Sequence, residues 1–457
     1  MKKISLFSLI FAALMVMTAA CSKSDDPTIS KPLTQVGQSV TPGDVSGTIK
    51  GTMLSDQIYT LNGRVVVNAG DTLLIQEGAK IYVTQGACLD IRGTLLSLGS
   101  KEKPIWFTEK DVAKQDNTSV TIDADPAYQG IWSGIYCENT CKLCVIKWTH
   151  IEFVGAPFVD LPGNVGGTPR GVYFNTADGY LVLEDSWFYG ITNDVVRVES
   201  GYFNVMRNTF EKCGPTGGDV VNVKGSSKGN VAYNLYTGNG TTGSKASNVG
   251  SATFQCEMTT FNNTFVNGGW RRVDAGRGGS INYEEGAKGL IYNNLIVNCR
   301  YGARMVGNPA ADVADSKLGS NYNYGETLDI CNQFYPTGHI TPPQTTDIPN
   351  PSSFLPAGYQ PGDVYDGSSL VLQNDPQFVN YPVGNTFNNI LVLSYAGSFD
   401  FRLKSTSPAL GKGTTNFQPY FVSDANFPKG EFGSTEITLP SSDIGAFPAN
   451  GKGNQHY

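Results

Sequence analysis

Between Gly63 and Phe107 the chain repeats one small unit, about three apolar residues followed by a tight turn. The triplets are Val65-Val66-Val67, Leu73-Leu74-Ile75, Ile81-Tyr82-Val83, Leu89-Asp90-Ile91, Leu95-Leu96 and Ile105-Trp106-Phe107. Asn68-Ala69-Gly70-Asp71, Glu77-Gly78, Gln85-Gly86 and Arg92-Gly93 separate them. Every third triplet begins a new cycle: Val65 to Leu89 is 24 residues, Leu73 to Leu95 is 22, and Ile81 to Ile105 is 24. Such strands are too short for ordinary hairpins, and no two-residue Asn-Gly or Asp-Gly turn joins them. A repeat of three short strands per 22 to 24 residues instead predicts a parallel β-helix, each strand pairing with its counterpart one lap away. The crossover rule makes that coil right-handed.

Farther along, the laps lengthen to as much as about 30 residues. Arg207-Asn208-Thr209-Phe210, Tyr233-Asn234-Leu235-Tyr236, Asn262-Asn263-Thr264-Phe265 and Asn293-Asn294-Leu295-Ile296 are versions of one element, with Asp185-Ser186-Trp187-Phe188 one lap earlier. Asn208, Asn234, Asn263 and Asn294 are 26, 29 and 31 residues apart. Asparagine tolerates the left-handed backbone of a tight turn, and its amide can bond to the amide one lap away, so these four are expected to build turns in a ladder. The same register puts Cys213 and Cys299 in one column, three laps or roughly 14 Å apart, beyond disulfide reach.

Composition agrees with an all-β chain. It has 53 glycines and only 16% charged residues, too few for long amphipathic helices. A net charge of −7 argues against a nucleic-acid partner.

The N-terminus carries its own address. Lys2 and Lys3 precede an apolar stretch, Ile4 to Ala20, whose core from Leu9 to Met17 has the length of a signal-peptide h-region. Thr18-Ala19-Ala20-Cys21 resembles the lipobox of bacterial lipoproteins, which implies cleavage before Cys21 and lipidation of its thiol. Asp25 and Asp26 close behind resemble the export signal of Bacteroidota-type surface lipoproteins, implying an outer-membrane protein facing the cell exterior. From Ser22 to about Ser46 the chain is polar and proline-containing, as a flexible tether would be. The expected organisation is a signal peptide at 1–20, lipidated Cys21 and tether at 21–46, a parallel β-helix at 47–306, a loop-rich insertion at 307–367, and a closing β-helix segment at 368–457.

Residues 61–107, with Pro104-Ile105-Trp106-Phe107-Thr108, are similar to the opening laps of bacterial right-handed β-helix surface proteins. The tail, with Asp375-Pro376-Gln377-Phe378, Phe399-Asp400-Phe401-Arg402-Leu403, Ser407-Pro408-Ala409-Leu410 and Asp443-Ile444-Gly445-Ala446-Phe447, resembles their closing segment. That superfamily holds lyases, hydrolases, adhesins and binding proteins, so the resemblance speaks to fold more than to function.

A polygalacturonase-like hydrolase is disfavoured. Asn175-Thr176-Ala177-Asp178 misses that family's Asn-Thr-Asp by an insertion, and His150, His339 and His456 sit in no Gly-His-Gly. Polysaccharide elimination needs a cation for the uronate carboxylate, calcium or arginine, and a base for the α-proton. The densest candidate patch is Trp270, Arg271, Arg272, Asp274 and Arg277, followed by Glu284, Glu285, Arg300 and Arg304. A salt-paired turn is the plainer explanation of the patch. The reading favoured on sequence is a non-catalytic glycan- or nutrient-binding accessory protein without a cofactor. Its expected partners are the membrane, through the lipid anchor, and a polysaccharide or a SusC/SusD-like uptake complex. A lyase, with Ca2+ as a possible cofactor, and an adhesin or structural protein are the alternatives. Cys137, Cys141 and Cys144 share their spacing with the radical SAM fingerprint and could form a zinc site with His150, but structural burial or pairing is the preferred role.

Overall fold

The computed structural model describes residues 35–114, 122–249, 253–274, 277–305, 311–334, 368–383, 399–424, 427–428 and 437–457. Cys21 and the signal peptide lie outside these residues, as do Ala275 and Gly276 and most of the 307–367 insertion.

The chain winds into a parallel β-helix of three sheets. One lap runs from a first-sheet strand (Lys80–Val83) to a second-sheet strand (Cys88–Ile91) to a third-sheet strand (Thr94–Leu98), and back to the first sheet at Ile105–Thr108. Pairing between laps is parallel throughout the coil. Val65 lies opposite Leu89 and Leu73 opposite Leu95, as the repeat predicts. Ile81 lies opposite Phe107, not Ile105. The slip is two residues, so the inward face is kept and only the turn before it lengthens.

The interior is a stack of like residues. Phe188, Phe210, Tyr236 and Phe265 follow one another in the first sheet, with ring centroids 5.0, 5.0 and 4.3 Å apart. In the third sheet Phe203 faces Gly229 one lap on, where a Cβ would sit 2.0 Å from the Phe203 carbonyl oxygen. A side chain there would force the two laps apart.

The corner from third sheet to first carries the predicted ladder. Asn234 Oδ1 accepts from the Asn208 backbone N–H at 2.9 Å and from Asn208 Nδ2 at 3.0 Å. Asn263 does the same for Asn234, and Asn294 for Asn263. A fifth member, Asn321, extends the ladder by one lap. All five are fully buried. The left-handed residue is not the ladder asparagine but the one before it. Trp148, Asp185, Arg207, Tyr233, Asn262, Asn293 and Ser320 have φ between 49 and 59°. That conformation strains Trp and Tyr most, and the backbone N–H that follows, bonded to a side chain of the next lap, holds it in place.

The coil exceeds its expected limits at both ends. Gly43–Thr48 already pairs with Ile58–Val67, inside the expected tether. Lys317–Gly319 and Tyr322–Tyr324 continue the third and first sheets inside the expected insertion. The described part of 368–457 adds no lap. Phe378–Asn380 and Asp400–Leu403 form a separate antiparallel pair. The rest is a strap running back over the asparagine corner. Thr414 bonds Asn293, Asp443 bonds Asn262, Thr438 bonds Arg207, and Asn454 bonds the Asn208 carbonyl. The closing resemblance marked a segment that covers the coil without lengthening it.

All eight described cysteines are buried and free. Cys213 and Cys299 follow first-sheet strands separated by three laps, as the register requires. Cys137 stacks between Ile91 and Phe174 in the second sheet, and Cys144 between Leu95 and Leu181 in the third. Contact with Cys141 and Cys144, together with burial, pushes the Cys137 thiol well up. His150 does not join them: it is stacked between Trp106 and Trp187 on the first sheet. No group of three or more His, Cys, Asp or Glu among the described residues is placed to hold a metal ion.

Candidate functional site

The outward row of the second sheet runs Asp90, Tyr136, Tyr173, Arg197, Asn222, Lys245, Asn282 and Arg304, each opposite the next. Alternation puts these residues outside because Leu89, Ile135, Val172, Val196 and Val221, one position away, fill the core. Tyr136 and Tyr173 stack at 4.4 Å, and the Arg170 guanidinium lies 5.2 Å from the Tyr173 ring centre. Beyond Arg197 the row opens into a polar cleft of about 360 Å³.

Two carboxylates stand at its wall. Asp194 Oδ1 accepts from the Asp219 backbone N–H at 2.7 Å, and Asp219 Oδ1 accepts from Thr242 N–H at 3.3 Å. This is a second ladder, at the corner from first sheet to second. The remaining oxygens turn to the cleft. Asn222 Nδ2 donates to Oδ2 of both aspartates at 3.1 Å, so the two carboxylates share one amide. Arg197 donates to Asp194 Oδ2 at 3.0 Å and to Glu199 at 2.6 Å. Lys245 lies 2.5 Å from Glu284 and 4.0 Å from Asp219. Burial pushes the Asp219 carboxyl above its usual range, with Asp194 adding to the effect and Lys245 opposing it.

Acceptors without donors complete the wall. Asn222 and Asn282 are 5% and 6% exposed, and the Oδ1 of each is buried with no hydrogen-bond partner among the described residues. A buried amide oxygen left unpaired is costly. Both line the cleft. The cleft lining presents guanidinium and ammonium donors, which suit a ligand rich in oxygen acceptors.

The patch expected from sequence divides. Arg272 and Arg277 line the cleft. Arg272 pairs with Asp274 at 2.6 Å, and both are exposed. Arg300 holds their loop by donating to the carbonyls of Arg272, Val273 and Arg277. Arg271 is 4% exposed, and its guanidinium is consumed by the carbonyls of Cys213, Gly214, Pro215 and Gly238, over the Tyr128 ring. Trp270 donates to the Asn298 carbonyl and packs against the cluster of Ile330, Cys331 and Phe334. Neither belongs to the cleft lining. Arg304 is fully buried beside Gly278 and Tyr301. Arg170, Asp194, Arg197, Asp219, Asn222 and Lys245 were missed because they lie on four laps. The signal was there: a polar residue between two apolar ones in Val196-Arg197-Val198 and Val221-Asn222-Val223, one lap apart.

A second concavity, about 340 Å³, lies on the first sheet among Trp106, Trp148, Trp187 and Tyr457. Trp106, His150, Trp187 and His456 form one stack at 3.5, 4.3 and 3.8 Å. The rings occupy one another's faces. Burial pulls His150 down to about 4, and Lys114, 2.8 Å from Glu152, holds that carboxyl at about 2 against its burial. These groups are arranged for packing.

No family model, curated protein or solved structure matches the chain.

Proposed function

We propose that this protein is a lipid-anchored glycan-binding protein of the outer cell surface and that the second-sheet cleft is its binding site. The observation that carries the reading is the polar cleft itself, lined by the guanidinium and ammonium groups of Arg170, Arg197, Lys245, Arg272 and Arg277 beside the amides of Asn222 and Asn282. Vicinal hydroxyls are both donors and acceptors, and a sugar chain laid along a flat parallel sheet meets such a row at regular intervals. The stacked Tyr136 and Tyr173 continue the same row. The lipobox at Cys21 and the acidic pair after it support a location outside the cell, where such a cleft would serve capture for an uptake complex.

Affinity electrophoresis against neutral and acidic polysaccharides tests the site. Retardation by at least one glycan, lost in an Arg272→Ala/Arg277→Ala variant, is expected. An unretarded wild-type protein across the panel would overturn the reading. Replacing Cys21 by Ala should release the protein from the membrane fraction, and a variant that stays bound would refute the anchor.

Elimination is the second reading, favoured by one observation: Asp219 is a carboxyl with a weakened preference for ionisation beside Lys245. It predicts growing ultraviolet absorbance from unsaturated uronate ends. Binding without that signal leaves a binder.

A further inference from the structure

We infer that the cleft selects an acidic sugar, a uronate, and takes it up together with one proton on Asp219. This rests on the glycan reading above and adds its charge class and its coupling to pH.

The charge class follows from the lining. Five cationic residues, Arg170, Arg197, Lys245, Arg272 and Arg277, stand around two carboxylates, in a chain whose net charge is −7. Among them Arg170 approaches Asp194 only at 3.9 Å through Nε, and Arg272 is 40% exposed at the mouth beside Asp274. Planar guanidinium groups recognise carboxylates by paired donors.

The proton follows from a contrast within the fold. Asp194 and Asp219 each use one oxygen to accept the backbone N–H of the next lap. At the corner from third sheet to first an asparagine oxygen accepts the backbone N–H of the preceding lap, through five laps, without charge. The carboxylates therefore add nothing to the ladder that amides would not supply. They add a second negative oxygen facing the cleft, and two such oxygens converge on the single amide of Asn222. Asp194 also accepts from Arg197 and keeps its compensation. Among the described residues Asp219 is ion-paired with Lys245 alone, at 4.0 Å, and that ammonium is closer to Glu284 at 2.5 Å, while Lys224 adds a weaker favourable charge. Of the other charged groups nearby, Glu199 is bound to Arg197, and Lys224 donates to Ser247. A third carboxylate entering with the ligand makes Asp219 the group that must yield its charge. No histidine among the described residues lines the cleft.

The test uses the purified full-length protein and uronate trisaccharides (galacturonate, glucuronate and mannuronate), each beside its methyl ester, titrated calorimetrically at pH 5 and pH 7. Buffers of different ionisation enthalpy give the proton count on the wild type directly. The acidic form is expected to bind severalfold to tenfold more tightly per unit fall in pH, the limit for one linked proton being about tenfold. Asp219→Asn keeps the ladder oxygen and mimics the protonated state. It should bind at pH 7 as the wild type binds at pH 5, with no slope between them. A flat wild-type profile, or an Asp219→Asn protein that keeps the slope, overturns the proton. Esters that bind as tightly as the acids overturn the charge class and leave the glycan reading standing. Failure of every acid and ester to bind, like wild-type silence in the electrophoresis panel, overturns both.

Discussion

Two corners of this coil solve the same problem with different chemistry. Where the third sheet turns into the first, five buried asparagines join their side-chain amides across laps, each both donor and acceptor. Where the first sheet turns into the second, Asp194 and Asp219 accept the same kind of backbone N–H but offer no donor in return. The amide corner is shut beneath the C-terminal strap, whereas the carboxylate corner opens on a cleft. The difference separates what the fold needs from what it tolerates. A buried neutral ladder is self-satisfied, and a carboxylate ladder requires Arg197, Asn222 and Lys245 around it.

Exchange of chemistry between the corners gives the largest expected effect. Asn263→Asp would turn an acceptor toward the Val231 and Phe261 carbonyls and Asn294 Oδ1, which Asn263 Nδ2 now serves. It should destabilise by about 4 kcal/mol or more at neutral pH, with part regained on acidification as the carboxyl becomes a donor. A denaturant midpoint that ignores pH would break the contrast. Asn263→Ala removes the link without adding charge and should cost about 3 kcal/mol at any pH between 5 and 8.

Arg271 and Arg272 are sequence neighbours on either side of the same divide. Arg271→Ala strands the carbonyls of Gly214, Pro215 and Gly238 and should cost about 2 kcal/mol, measured by urea unfolding. Arg272→Ala should leave stability within about 0.5 kcal/mol, since its Asp274 pair is exposed. Equal losses would mean that Arg272 is also structural.

The smallest effect has the opposite sign. The folded pKa of Asp219 lies above its unfolded value, so the stability this group supports is complete below the ordinary aspartate range and is lost as pH rises through the folded value. Asp219→Asn should therefore be more stable than wild type at pH 7, by under about 1 kcal/mol, and equal to it in acid. Thermal melts at the two pH values check the sign, and a destabilised variant at pH 7 would place Asp219 with the asparagines.

The amide corner was legible in the sequence because four of its five members keep the company of an apolar residue one or two positions on, as in Asn263-Thr264-Phe265, lap after lap. Asn321 escaped since Ser320-Asn321-Tyr322 falls where turn residues dominate. The triplets gave the sheets for the same reason: inward apolar residues recur at the lap length whatever the loops between them do. The register of Ile81 was lost by two residues because alternation is blind to an even slip. The carboxylate corner was not legible. Asp194 and Asp219 carry no local pattern, and their meaning depends on Arg170, Asn222 and Lys245 arriving from other laps. Local density of charge pointed instead at Arg271, whose role is fixed by backbone carbonyls that no composition reveals. The tail misled for a physical reason as well. Its short apolar segments need burial, and the outside of the coil supplies it as readily as a new lap would.

The strap has a mechanical consequence. Laps joined only by strand pairing can peel away singly when pulled from the N-terminal end, as a zip opens tooth by tooth. The strap ties Thr438 to Arg207, Asp443 to Asn262 and Thr414 to Asn293, stitching successive laps to one independent thread. Tension entering at Gly43 would unwind the early laps and then meet a seam at Arg207, beyond which several laps must yield together.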